Sequence, residues 1–196
     1  MNFTESQDRA TGELVELVAS CLGAERAIHP ETAIASTARL AGSLLLRSFG
    51  LPLGKLEPGS VVLSDAANEK GPMLVEILAA YLAGAEVPIQ RDQLGGEPAR
   101  RGAQPHLSTV QSLAQLQDEA MAIAERHGLT LEQLAQSAAL ATAFLVRECA
   151  PRIGAETGFN IATYGFVEGS KTVPPRSSRP GSGPVPAAAR PWYKFW

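Results

Sequence analysis

The polar run Ser64, Asp65, Ala66, Ala67, Asn68, Glu69, Lys70, Gly71 is the densest grouping of chemically competent side chains in this chain. An acid, a base and an amide donor of this kind, gathered in one cleft, would serve hydrolysis or isomerisation. The same residues in the same order also compose an ordinary helix start, with Ser64 or Gly71 as cap and carboxylates complementing the helix dipole. That second reading is the stronger one. The three histidines stand apart at positions 29, 106 and 127. His29 precedes Pro30 and Glu31, a helix-start signal, and His127 precedes Gly128, where an imidazole complements a helix C-terminus. His106 lies in a loop beside Pro105, and no partner for it is legible.

Neither H-x-x-x-H nor H-E-x-x-H spacing occurs, and Cys21 and Cys149 are too few and too far apart for a ligand set, so no metal site is expected. Each cysteine falls on the apolar side of an expected helix and reads as a buried free thiol. Glycines at 95–96 and 181–183 lack the flanking strand, helix and lysine of a phosphate-binding loop, and no G-x-S-x-G is present. Arg100 and Arg101 are too small a basic spot for nucleic acid. The sequence therefore assigns no catalytic residue, metal or cofactor, and leans away from an enzyme. The enzymatic or small-molecule-binding alternative places a site between residues 64–71 and the loop 86–106.

A different chemistry is concentrated at the C-terminus. Trp192, Tyr193, Phe195 and Trp196 include both tryptophans of the chain and four of its eleven aromatic residues. Residues 174–191 before them contain six prolines, a composition that favours an extended arm over a folded core. Apolar rings with no local core to enter dock on something or stay wet. Five of the 17 basic residues and none of the 20 acidic ones lie in 171–196, which sets +5 on that segment against −8 on residues 1–170. Arg190 and Lys194 would thus be drawn to the acidic body. The expected partner-binding residues are Trp192, Tyr193, Phe195, Trp196, Arg190 and Lys194. They imply docking on the same body or a neighbouring subunit, with a homo-oligomer, a dimer, as the expected form. A protein partner reached through the arm is the second option; membrane contact and nucleic acid are not expected.

The elements that would carry these groups are helical. Ser108 with Gln111 and Thr130 with Gln133 form two capping boxes, and Gly128 lies between them. Apolar residues at spacings of three and four then predict two antiparallel helices over 107–150. A helix over 30–49 starts at Pro30, stops before Gly50 and exposes Ile34, Ala38, Ala41, Leu44, Leu45 and Phe49 on one face. Small residues at Ala38 and Gly42 leave it grooves for close packing. A further helix runs from about Thr4 to Leu22. Another starts at Ser64 or Pro72, ends near Gly84, and carries a face of Met73, Ile77, Ala80 and Tyr81 apolar enough to be central. Residues 61–63 predict a short extended piece or an apolar lead-in. β-Branched and aromatic residues over 159–167 predict a short strand, with a helical turn as the alternative.

The expected architecture is a mainly α-helical bundle of about five helices over residues 1–156. It is followed by a short strand or irregular segment over 157–173 and the arm, 174–196. Residues 1–8 lack the order of a signal peptide, and the most apolar window, 72–89, holds Glu76 and Glu86 and falls short of the ~20 residues that span a bilayer. A cytoplasmic protein is expected.

Overall fold

The computed structural model describes residues 3–23, 29–95 and 104–177. Among them are six helices of 13 to 23 residues and one short one: α1 (Glu5–Leu22), α2 (Pro30–Ser48), α3 (Asp65–Lys70), α4 (Pro72–Gly84), α5 (Thr109–His127), α6 (Leu131–Ile153) and α7 (Ala155–Lys171). The chain is mainly α-helical, as its sequence predicts. All six expected partner-binding residues of the arm lie outside the described residues.

Local chemistry sets the helix ends. Thr4 with Gln7, Ser108 with Gln111 and Thr130 with Gln133 each close a capping box, in which two otherwise orphaned N–H groups are satisfied. Gly128, at φ 63°, ends α5, and Gly154, at φ 84°, separates α6 from α7. Both are backbone states that side-chain-bearing residues resist.

α2 and α6 form the centre. α2 buries side chains on every face from Pro30 to Leu46 rather than along one stripe. α7, α6 and α5 pack around it, while α6 also carries α1 and α4. The two expected helices exist, though α6 runs on through Pro151 to Ile153, and they are not antiparallel: the chain turns by 115° between them. α5 therefore leaves α6 to lie against α1 and α2. The short connection fixed where the helices begin; their apolar stripes, facing different neighbours, fixed the angle.

Residues 157–171 of the segment expected as a strand or irregular piece are helical. They belong to α7, which buries Ile161, Ala162 and Phe166, so the helical body continues well past residue 156. The reason is a stripe of small residues, Gly158, Ala162, Gly165 and Gly169, recurring at four, three and four. It lies against Ala35, Ala38, Arg39 and Gly42 of α2. A Cβ added to Gly165 would stand 2.7 Å from the Cβ of Ala38, and one added to Gly42 would stand 2.7 Å from the backbone N of Ser170. Close backbone approach over this length outweighs the local β propensity of Ile161, Thr163 and Val167. Ile34 meets Gly158, Ala38 meets Gly165 and Gly42 meets Ser170, so the two helices run parallel. The grooves on α2 are filled within the chain.

Beyond α7, Thr172 forms an antiparallel bridge with Val61. Gly59 N donates to Val173 O (2.8 Å), Val173 N to Ser60 O (2.9 Å) and Val62 N to Lys171 O (2.8 Å). Residues 61 and 62 are thus the extended piece their composition allowed. Val173 is buried, and Gln117 Nε2 donates to Pro175 O at 3.0 Å. The first residues of the expected arm are part of the folded body.

Candidate functional site

Both helix starts weighed for residues 64–72 are used. Ser64 precedes α3 without a side-chain cap bond, Gly71 follows it, and Pro72 opens α4. Lys70 Nζ is taken by Glu132 on α6 at 2.7 Å. Asp65, Asn68 and Glu69 are exposed. This polar run is the solvated start of a helix pair.

Its other proposed wall lies elsewhere. Residues 90–95 of the 86–106 loop sit over the N-terminal half of α7: Gln90 N donates to Glu156 Oε1 (2.9 Å), Gly95 N to Asn160 Oδ1 (2.8 Å) and Asn160 Nδ2 to Gln93 O (3.2 Å). The Gln90 amide holds the Glu156 carboxyl below its ordinary range. Residues 64–71 and 86–95 are at opposite ends of α4, whose 13 residues span about 20 Å at ~1.5 Å per residue.

His106 does have a partner. Its ring stacks on His29 with centroids 3.8 Å apart. Thr32 Oγ1 accepts from the His106 backbone N–H at 2.9 Å and lies 2.9 Å from His29 Nδ1. Glu31 Oε2 is 3.4 Å from the same nitrogen. The pair clasps residues 104–107 onto the start of α2. Two turns on, Arg39, only 7% exposed, donates to Glu168 Oε2 (2.7 Å), to Leu107 O (2.7 Å) and to Ser112 Oγ (3.3 Å). This buried guanidinium ties α2, α7 and the lead into α5; nothing in its sequence context marks it.

His127 Nε2 is 2.7 Å from Glu13 Oε1, and Arg126 donates to Glu13 Oε2 at 2.7 Å and to Glu119 at 3.0 Å. Burial pushes the Glu13 carboxyl up, but the hydrogen bonds and charges of Arg126 and His127 outweigh it and hold the group below its ordinary value. His127 thus staples α5 to α1. Of the cysteines, Cys21 is exposed rather than buried, because it lies in the last turn of α1 beyond the stripe that packs on α5 and α6. Cys149 is partly buried, and desolvation pushes its thiol up to about 11. Among the described residues, no group of three or more His, Cys, Asp or Glu side chains is arranged to hold a metal ion. No helix there is by itself long and apolar enough to cross a membrane.

What the structure brings together instead is apolar surface. α4 packs on α6 through Leu74, Ile77, Leu78 and Leu82, a face rotated from the one its sequence suggested: Ile77 is common to both, Met73 and Tyr81 pack at the margin of the core, and Ala80 is exposed. The helix is peripheral rather than central, because Glu76 and the alanines at 79, 80 and 83 give the other side too little bulk to fill a core. α4 only grazes α7, and a groove of ≈ 500 Å³ opens between them. Ala67, Val75 and Ala79 line one wall, and Phe166, Val167 and Ser170 the other. Glu76 and Lys171 stand on its rim. A second hollow, of ≈ 450 Å³, is lined by Leu51, Leu53, Leu56, Val62 and Leu63. Leu63 and Val61, at 82% and 74% exposure, and Val167, at 48%, are the most exposed large apolar side chains among the described residues. They sit at one end of the bundle, where α7 terminates.

Comparison with known proteins finds no matching family model, no similar curated protein and no similar solved structure.

Proposed function

We propose that this protein is a non-enzymatic interaction or structural protein whose aromatic, basic C-terminal arm is its docking element, received by its own body or by a neighbouring subunit in a dimer. The observation that supports this reading is the unfinished apolar wall formed by α4, α7 and residues 61–63. Contiguous exposed apolar surface of this kind marks a contact site more often than a solvated face. The arm supplies a matching occupant: four large rings at residues 192–196 and a charge of +3 over 178–196, opposite in sign to the −6 of residues 1–177, which include the folded Lys171 and Arg176. Each ring offers ~150–250 Å² for burial, so a few of them outweigh the modest attraction between exposed charges.

The test is light scattering and thermal unfolding of the full chain beside a chain ending at Ser177. That end is chosen because residues 172–175 are built into the fold through Val61, Ser60 and Gln117. A shorter truncation would confuse loss of the arm with damage to the body. The shortened chain is expected to lose thermal stability, oligomeric mass or both. If neither changes, the arm is not a docking element and the proposal fails.

A further inference from the structure

Resting on that reading, we infer that the groove between α4 and α7 is the acceptor and that its occupant is the aromatic end, residues 192–196, of the same chain. Three observations carry this. First, the described chain ends at the right side of the molecule. α2 and α7 run parallel, so Arg47, near the end of α2, and the groove, along the last turns of α7, share one end of the bundle. Pro175 is held there by Gln117, and Ser177 Oγ donates to Asp118 at 2.7 Å.

Second, the remaining length fits the span. From α5 across α2 and α7 to the groove is two to three helix spacings, about 20–30 Å at ~8–10 Å each. Fourteen residues lie between Ser177 and Trp192; the fifteen steps from one to the other span roughly 21 Å as a coil and ~46 Å as an extended polyproline segment. The span falls between those two lengths, so the tether reaches the groove and holds the rings near it at an effective concentration in the millimolar range. A neighbour's arm at ordinary protein concentrations competes poorly with that.

Third, groove and arm are complementary. The walls are Val75, Ala79, Phe166 and Val167, with small residues on α4 that let rings approach its backbone. Glu76 on the rim and Asp65 and Glu69, exposed on the adjoining α3, outnumber Lys171, the cation on the same rim, and would meet the charge of Arg190 and Lys194. α4 has one charged residue in 13, and a helix that is apolar nearly all round is one that something covers.

Both tryptophans lie in the arm, so tryptophan emission of the full chain reports on the arm alone. The expected result is emission blue-shifted from that of the urea-unfolded chain, shielded from acrylamide, and unchanged over a hundredfold range of concentration at monomer mass. Ala79→Arg and Val167→Lys alter exposed wall positions and place a cation against the basic arm. Each is expected to shift the emission to the red while leaving far-UV circular dichroism unchanged. If both variants keep helical signal and buried tryptophans, the groove is not the acceptor, even where removal of residues beyond Ser177 still lowers stability. Burial that appears only as concentration and mass rise assigns the occupant to a second copy and overturns the assignment in cis. Emission equal to that of the unfolded chain, together with an inert truncation, removes both this inference and the reading beneath it.

Discussion

Replacing Gly42 by alanine should destabilise the protein, although the same change at Gly12 should stabilise it. Both glycines lie inside helices, and in both places alanine gains roughly 0.5–1 kcal/mol through backbone entropy. At Gly12, in α1, an added Cβ meets nothing within 4 Å, so that gain stands alone. At Gly42 the Cβ enters the backbone of α7. It would stand 2.7 Å from Ser170 N and 3.0 Å from Gly169 C, and it would overlap Phe166 O. Backbone atoms of a packed helix have no rotamer to change, and carbon contacts are comfortable only near ~3.5–4.0 Å, so α2 and α7 must separate by on the order of 1 Å.

That separation loosens the whole seam. Overpacking of this kind costs ~1–3 kcal/mol and occasionally more, and we expect the upper end here because both partners are backbone. The net is a loss of about 1–2 kcal/mol for Gly42→Ala against a gain of ~0.5–1 for Gly12→Ala. For a chain of this size 1 kcal/mol moves the midpoint by ~2–4 °C. Thermal scans at 222 nm should therefore show the Gly42 variant melting ~2–8 °C lower, and the Gly12 variant slightly higher, than the parent. Gly169→Ala probes the same seam from the other side, since its Cβ would meet the carbonyl group of Arg39. The Gly42, Gly169 double variant should cost less than the two single changes added together, because helices already forced apart accept the second methyl more cheaply. A Gly42 variant as stable as the parent would refute the account of the seam.

Two further perturbations follow from the polar groups. Glu13 has its carboxyl held below the ordinary value by Arg126 and His127, so its contribution is present above the ordinary carboxyl range and lost as pH falls through the lowered value. Glu13→Gln should cost ~0.5–1 kcal/mol at pH 7, a modest figure because both Glu13 and Arg126 are more than a third exposed. The gap between parent and variant in urea midpoints should close below about pH 4; a gap that stays constant down to pH 3 would sink the ion-pair explanation. With Cys21 exposed and the Cys149 thiol at about 11, a thiol reagent at pH 8 should modify the two at rates differing on the order of 100-fold. Cys21→Ser should remove the fast phase, and a single shared rate would contradict the placement.

Wherever a few neighbouring residues decide the structure, the sequence was readable. The capping boxes at Thr130 and Ser108, the left-handed Gly128 and Pro30 at the head of α2 mark helix ends through contacts three or four residues away, and those ends are where they were expected. What depends on a distant partner was not readable in the same way. Residues 159–167 carry local β propensity, and only the register of Gly158, Ala162, Gly165 and Gly169 against Ala38 and Gly42 makes them a helix. That stripe is visible in the sequence, but its meaning requires both helices at once. The same holds for His106, whose partner is His29, and for Arg39, whose three acceptors come from two distant segments, α7 and the start of α5. The face of α4 was misjudged because a helix with one charge in 13 residues offers little periodicity to read.

That weakness of pattern in α4 is also its physical signature. α2 has the same character, rich in alanine and leucine with few charges, and the structure surrounds it with α5, α6 and α7 until every face is covered. α4 has α6 on one side and the edge of α7 on the other, and its alanines at 79, 80 and 83 face outward. A solvated outer face in this protein looks like that of α1 or α5, where Glu16, Gln111 and Gln115 occupy such positions. Apolar area left open on one helix while polar residues cover the exposed faces of others is a local deficit, and its cost scales with area at ~25 cal/mol per Å². Under our proposal the aromatic end of the chain offsets that deficit. Substituting Ala79 with arginine therefore disturbs the arm without disturbing the core, since the side of α4 that holds the bundle together, Leu74, Leu78 and Leu82, is already fully buried against α6.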